Sequence, residues 1–228
     1  GEPWCSQEEI EYILEAANAN FPRLKLGRPD ILSSFAGVRP IIHGGAANPS
    51  GESRKHEIFH EAGLITITGG KLTIFRIMAE ETMALAAKTL GKDLNKMQSW
   101  FKPLPHFAAG VLLDEGLHSY LSGRYGQDLP DLISQSRLED QQNIGALPNI
   151  WAELQFAASH HYVEHLDDLL LRRVRLGLLL PQGGLAELER VKALTSPALG
   201  WSEQRWQAET ERYNQIYQSY YSPSPKGI

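Results

Sequence analysis

Cysteine is nearly absent from this chain: Cys5 stands alone among 228 residues, which excludes an intrachain disulfide and fits a reducing compartment. It is expected to be a small apolar filler. No stretch of about 20 apolar residues exists that would span a bilayer as a helix. The longest apolar neighbourhood, residues 166–180, is interrupted by Asp167, Asp168, Arg172, Arg173 and Arg175. It reads as an amphipathic helix, so membrane contact would be peripheral. An excess of positive charge is lacking too, and a net charge of -5 gives no general reason to expect nucleic-acid binding. Residues Gly1 to Trp4 carry no basic segment followed by an apolar run, so no signal peptide is expected there. No Gly-x-Gly-x-x-Gly follows a strand, which removes the dinucleotide-binding βαβ unit. Internal repeats and low-complexity blocks are absent as well.

What is there suffices for one large or two small domains. Hydrophobic residues at 42% and charged residues at 21% describe an ordinary globular chain and argue against wholesale disorder. Ser6 to Glu9 has the spacing of a capping box, and Ile10, Ile13, Leu14 and Ala17 follow at helical intervals, predicting a helix over about 7–20. A turn over Gly27 to Asp30 precedes the apolar run Ile31 to Val38, and the Gly/Pro-rich stretch Ile42 to Ser53 reads as a loop. His56 to His60 and Gly63 to Thr68 read as paired strands, followed by a helix from Thr73 to about Leu90. Two prolines in Lys102 to Pro105 mark a boundary. Beyond it, 111–120, 150–158, 162–180, 185–194 and 202–220 all carry helical periodicity, and residues 222–228 read as a frayed tail.

The most informative stretch is Gly63 to Arg76, where an alternating strand runs into Gly69, Gly70, Lys71 and the first turn of a helix. Two glycines permit a tight backbone turn beside a ligand. The helix start offers unpaired N–H groups, and Lys71 adds a positive charge at the same place. Such a corner suits a ligand with anionic or electron-rich edges.

Three motifs stand in order: Phe35-Ala36-Gly37-Val38-Arg39-Pro40, then Ser53-Arg54, then Gly69-Gly70-Lys71-Leu72-Thr73. Together they resemble the C-terminal portion of FAD-dependent glycerol-3-phosphate dehydrogenases, the respiratory enzymes that pass electrons to quinone. Asp167 to Arg173 resembles the helix that carries paired arginines in that family's helical domain. The resemblance covers most of the chain. It implies an α+β fold class: residues 1–102 as the end of a flavin- and substrate-binding domain of the FAD-dependent oxidoreductase (DAO) type, and residues 103–228 as an all-α cap. With the dinucleotide unit absent, the chain would be a C-terminal fragment, inactive alone, and full FAD binding would need an N-terminal FAD-binding half.

The same resemblance implies site roles. Arg39 and Lys71 would be catalytic, and Arg39, Arg54 and Lys71 would bind glycerol 3-phosphate, arginine being suited by its planar fork to phosphate oxygens. Gly69, Gly70, Lys71, Leu72 and Thr73 would line the pyrimidine edge of the flavin, where a helix start stabilises the charge of reduction. Ile74 and Phe75 replace the Thr-Tyr that the family commonly carries, removing two hydroxyls. A base must take the hydroxyl proton during hydride transfer; His43, His56 and His60 are candidates, as is a residue of the other half. The implied partners are glycerol 3-phosphate, a quinone acceptor and the N-terminal half, with no nucleic acid. A cytoplasmic location is implied, with peripheral contact at the cytoplasmic membrane and a homodimer left open.

Blander readings stand beside these. Arg39 would otherwise pair with Asp30 or a backbone carbonyl, and Arg54 would be one solvated charge among Glu52, Lys55 and Glu57. His161, His165 and Asp168, at i, i+4 and i+7, have a chelating spacing, but a polar helix face explains them and no metal is expected. Arg172, Arg173 and Arg175 read as ion-pair partners, and the aromatic residues from Trp201 to Tyr221 as a packed amphipathic helix. The rival functions are a glycerophosphate oxidase that uses oxygen, a different flavin oxidase acting on amines or hydroxy acids, and a non-catalytic interaction module.

Overall fold

A computed structural model describes residues 2–38, 55–92 and 114–225. The chain forms two compact units, one made of Val38–Pro103 and the other of Gly1–Gly37 with Leu104–Ile228. Arg39, Arg54, the loop over Ile42 to Ser53 and the Lys102 to Pro105 boundary lie outside the described residues.

In the smaller unit, β1 (His56–Glu61) and β2 (Leu64–Gly69) pair antiparallel, from His56 opposite Gly69 to Glu61 opposite Leu64. The connection is a two-residue turn in which Ala62 and Gly63 both have positive φ, at 48° and 82°. That left-handed pair matches the twist of the strands it joins. A 3₁₀ turn over Leu72–Ile74 leads into α2 (Phe75–Thr89). Ala87 is the one fully buried apolar residue here among those described, while Phe59, Leu64, Leu72, Phe75 and Ile77 are exposed.

The larger unit opens with α1 (Gln7–Asn20), whose capping box is present: Ser6 N–H donates to Glu9 Oε2 at 2.8 Å, and Glu9 N–H to Ser6 Oγ at 3.2 Å. Asn18 pins the returning chain through both backbone groups of Leu26, each at 2.8 Å. The run after Ile31 forms no regular element. Instead Ser33 Oγ donates to Leu178 O at 2.8 Å, Ser34 N–H to Tyr221 O at 2.9 Å, and the Tyr217 hydroxyl to Leu32 O at 3.0 Å. Residues 2–37 therefore pack with the helical part, whereas the sequence groups them with everything up to residue 102. Cys5 is buried, and its thiol reaches Phe35 O at 3.1 Å.

The helical part comprises α3 (Glu115–Tyr125), α4 (Leu129–Ser134), α5 (Ala152–His160), α6 (Leu176–Leu179), α7 (Leu188–Leu199) and α8 (Glu203–Ile216). One core gathers Leu154, Leu166, Leu170, Val174, Trp206 and Tyr213; a second gathers Leu121, Leu129, Leu132, Ile150 and Phe156. The continuous helix expected over 162–180 does not form. Tyr162 and Arg175 both adopt positive φ, at 51° and 63°, and residues Asp168–Arg173 widen into a π-helical turn. Widening turns the consecutive residues Leu169, Leu170 and Leu171 all inward, which a one-faced α-helix cannot do. Of the stretch read as a frayed tail, residues 222–225 are held in place: Ser222 is buried and its N–H donates to Tyr217 O at 2.8 Å, and Pro225 is buried, while residues 226–228 lie outside the described residues.

Candidate functional site

The end of β2 turns sharply because Gly69 and Gly70 take φ of 76° and 79°, a conformation that side chains resist. Gly70 also has no room for more. A β-carbon there would sit 2.5 Å from Met78 Sδ and 3.3 Å from His56 Cβ, so its smallness lets the first turns of α2 close on β1. Lys71 follows in extended conformation, and Ile74 N–H returns to Lys71 O at 3.0 Å. Among the described residues no side chain caps this turn, and its first backbone N–H groups lack an intrahelical partner by geometry.

Lys71 lines a recess of about 490 Å³ together with Lys55, His56, Ile74, Ile77 and Glu81. His56 Nε2 meets Glu81 Oε2 at 2.7 Å, which fixes the imidazole on the wall of the recess. Two lysines and an imidazole against one carboxylate give the space a basic cast. Backbone donors, a glycine cradle that a β-carbon would fill and a nearby ammonium make the corner fit for the edge of a polar aromatic ring. Gly69, Gly70, Lys71, Leu72 and Thr73 are thus brought together, while Arg39 and Arg54 lie outside the described residues. The pairing of His56 with Glu81 joins residues 25 apart and left no mark in the sequence.

The helical unit holds a second polar cluster that the sequence did not reveal. Glu153 is fully buried at the start of α5, accepting from the Tyr125 hydroxyl at 2.8 Å and from Ile150 N–H at 2.8 Å, with Arg124 Nε at 3.2 Å. Burial pushes its carboxyl above the ordinary range, and the Tyr125 and Ile150 bonds and the Arg124 charge offset only part of that. Asp167 behaves oppositely. Burial alone would raise it, but Arg172 and Arg212 both bond to it and hold it below the usual carboxylate range.

His161, His165 and Asp168 do not share a helix face. His161 stacks on Tyr125, His165 Nδ1 meets Glu209 at 3.0 Å, and Asp168 accepts from His165 N–H at 2.9 Å. Among the described residues no three His, Cys, Asp or Glu side chains gather as metal ligands, and no helix is long and apolar enough to cross a membrane.

Residues 87–206 match the family model for the C-terminal domain of alpha-glycerophosphate oxidase. The aerobic glycerol-3-phosphate dehydrogenase of Staphylococcus aureus (strain USA300) is 29% identical over 194 residues, covering 75% of this chain. The same enzyme of strain COL aligns with the same figures. The chain spans only 35% of the length of these relatives. A solved structure, the glycerol-3-phosphate dehydrogenase from Bacillus halodurans complexed with FAD, superposes with a TM-score of 0.64 at 25% identity. That match covers 99% of this chain and 47% of the other.

Proposed function

This chain belongs to the family of the C-terminal domain of alpha-glycerophosphate oxidase, and from that premise we propose that it serves an FAD-dependent glycerol-3-phosphate dehydrogenase. It would supply the flavin-edge corner and the helical cap, with a dinucleotide-binding part completing the FAD site. The observation that carries this reading is the uncapped Gly69 to Thr73 corner with Lys71 beside it. The exposed Phe59, Leu64, Leu72, Phe75 and Ile77 support it further, since apolar surface of this kind suits contact with a further part of the protein.

Bound flavin supplies a two-electron acceptor for the hydride of the substrate's secondary alcohol. Arg39 and Arg54 would grip the phosphate group through paired, charge-assisted bonds, fixing the alcohol carbon in place. The N–H groups at Leu72 and Thr73, with the Lys71 ammonium, would hold negative charge at the ring edge in a position set before reaction. The hydroxyl proton leaves to a base, yielding dihydroxyacetone phosphate, and quinone takes the electrons onward. Transfer to oxygen instead is the alternative suggested by the family's description.

The test joins the chain to the part of the S. aureus relative that it does not cover. FAD retention and dye reduction driven by glycerol 3-phosphate are expected for the joined protein and not for the chain alone. A folded joined protein with neither property would sink the proposal. Quinone-analogue reduction against oxygen consumption then separates the two acceptors.

A further inference from the structure

Where α3 meets the π-helical turn, the helical unit has a recess of about 350 Å³ walled by Arg124, Arg172, Arg173 and Arg175. Tyr125 and His161, stacked at 6.4 Å with 9° between their planes, line it too, and Asp128 is its one acidic lining residue. On a chain of net charge -5 this is a local reversal of sign.

The four arginines are not equivalent. Arg124 is consumed internally, donating to Arg173 O at 2.6 Å and Val174 O at 3.3 Å while pairing with buried Glu153. Arg172 is matched by Asp167 and Asp168. Arg173 donates only its Nε, to His161 O at 2.7 Å, and its terminal nitrogens have no partner among the described residues. The Arg175 side chain has no hydrogen bond or ion pair among the described residues, while its backbone is left-handed at φ 63° and its carbonyl accepts from Leu178 N–H at 3.0 Å. Two guanidinium groups therefore face the recess with charge to spare, one of them anchored through the backbone, against a single aspartate.

We propose that this recess is an anion site for a phosphate monoester group, gripped by Arg173 and Arg175 over the Tyr125–His161 ring pair. Planar guanidinium forks match the tetrahedral oxygens of a phosphate, and anchored arginines lose little freedom on binding. Arg124 and Arg172, already paired with carboxylates, form the walls. All residues of this recess belong to the helical unit, whereas those of the flavin-edge corner belong to the smaller one. The phosphate can come from a soluble ester or from a lipid headgroup, and the experiment separates these.

The full chain is titrated with inorganic phosphate while the imidazole resonances of His161 are followed by NMR, with chloride at equal ionic strength as the control. Saturable shifts at His161 are expected with phosphate alone. Arg175→Gln keeps the β-carbon and removes only an unpaired charge; it should weaken the binding about tenfold, and Arg175→Lys should restore part of it. Binding at the Lys71 recess would register at His56 instead. A linear shift, an equal response to chloride, or unchanged affinity in Arg175→Gln would overturn the proposal. Once the site is established, vesicles containing phosphatidic acid decide the source. Retention lost in Arg175→Gln and absent on phosphatidylcholine assigns a lipid headgroup, whereas no retention assigns a soluble ester.

Discussion

The Tyr125 hydroxyl donates to the fully buried Glu153 carboxylate at 2.8 Å, tying the end of α3 to the start of α5. Arg124 and Ile150 N–H converge on the same carboxylate. Removing it strands a buried hydroxyl and a mostly buried guanidinium together. Glu153→Ala is therefore expected to cost about 3 kcal/mol of unfolding free energy, read from urea denaturation. A cost below about 1 kcal/mol would mean that the cluster is not cooperative.

The two buried carboxylates should respond to pH with opposite sign. Glu153 has a native pKa raised above its ordinary 4.5, so its stabilising contribution is full below that value and is lost as pH rises through the native pKa. Asp167 is lowered from 3.8, so its contribution is present above that value and is lost as pH falls through the native pKa. The cost of Glu153→Gln should accordingly shrink as pH rises from about 4, while the cost of Asp167→Asn should shrink as pH falls below it. Parallel curves for the two variants in pH-dependent denaturation would refute the assignment.

Local chemistry was legible in the sequence, and long-range pairing was not. Ser6 and Glu9 announced the start of α1, and the short gap between the alternating runs His56 to His60 and Gly63 to Thr68 announced the hairpin, because capping and turn geometry depend on neighbours along the chain. Gly69, Gly70 and Lys71 were readable as a corner for the same reason. The break of 162–180 was hidden because apolar spacing does not distinguish an α-helix from a π-helical turn whose partners lie elsewhere: Glu209 on His165 and Arg212 on Asp167. The Arg124–Tyr125–Glu153 cluster was hidden likewise, as nothing near Glu153 in sequence marks it for burial.

Gly177 and Gly183 should tolerate no side chain. A β-carbon on Gly177 would collide with the Tyr213 hydroxyl and stand 2.8 Å from Leu171 Cδ2. On Gly183, at φ 71°, it would stand 2.7 Å from the ring of Tyr217. Both neighbours are buried aromatic side chains with nowhere to move. Each alanine variant is expected to lose about 2–3 kcal/mol, with Gly183→Ala carrying left-handed strain as well. Thermal unfolding provides the check, and Gly123→Ala, inside α3 with nothing within 4 Å, is the control that should raise stability by about 0.5–1 kcal/mol.

Lys71 is exposed at the edge of its recess, so its charge is available to a ligand and its removal should leave the fold intact. In the joined, flavin-loaded protein, Lys71→Met is expected to lower kcat/KM for glycerol 3-phosphate about 100-fold, the scale of losing one preorganised charge beside the reacting atoms. Losing a charge that acts on the transition state lowers kcat, whereas losing one that only binds the phosphate raises KM. Lys71→Arg keeps the charge and should recover much of the phosphate-binding part but less of kcat, because a guanidinium spreads its charge over a wider plane than the compact ammonium. Unchanged kinetics in Lys71→Met, with the fold verified, would remove Lys71 from the site and leave the backbone N–H groups of the corner to act alone.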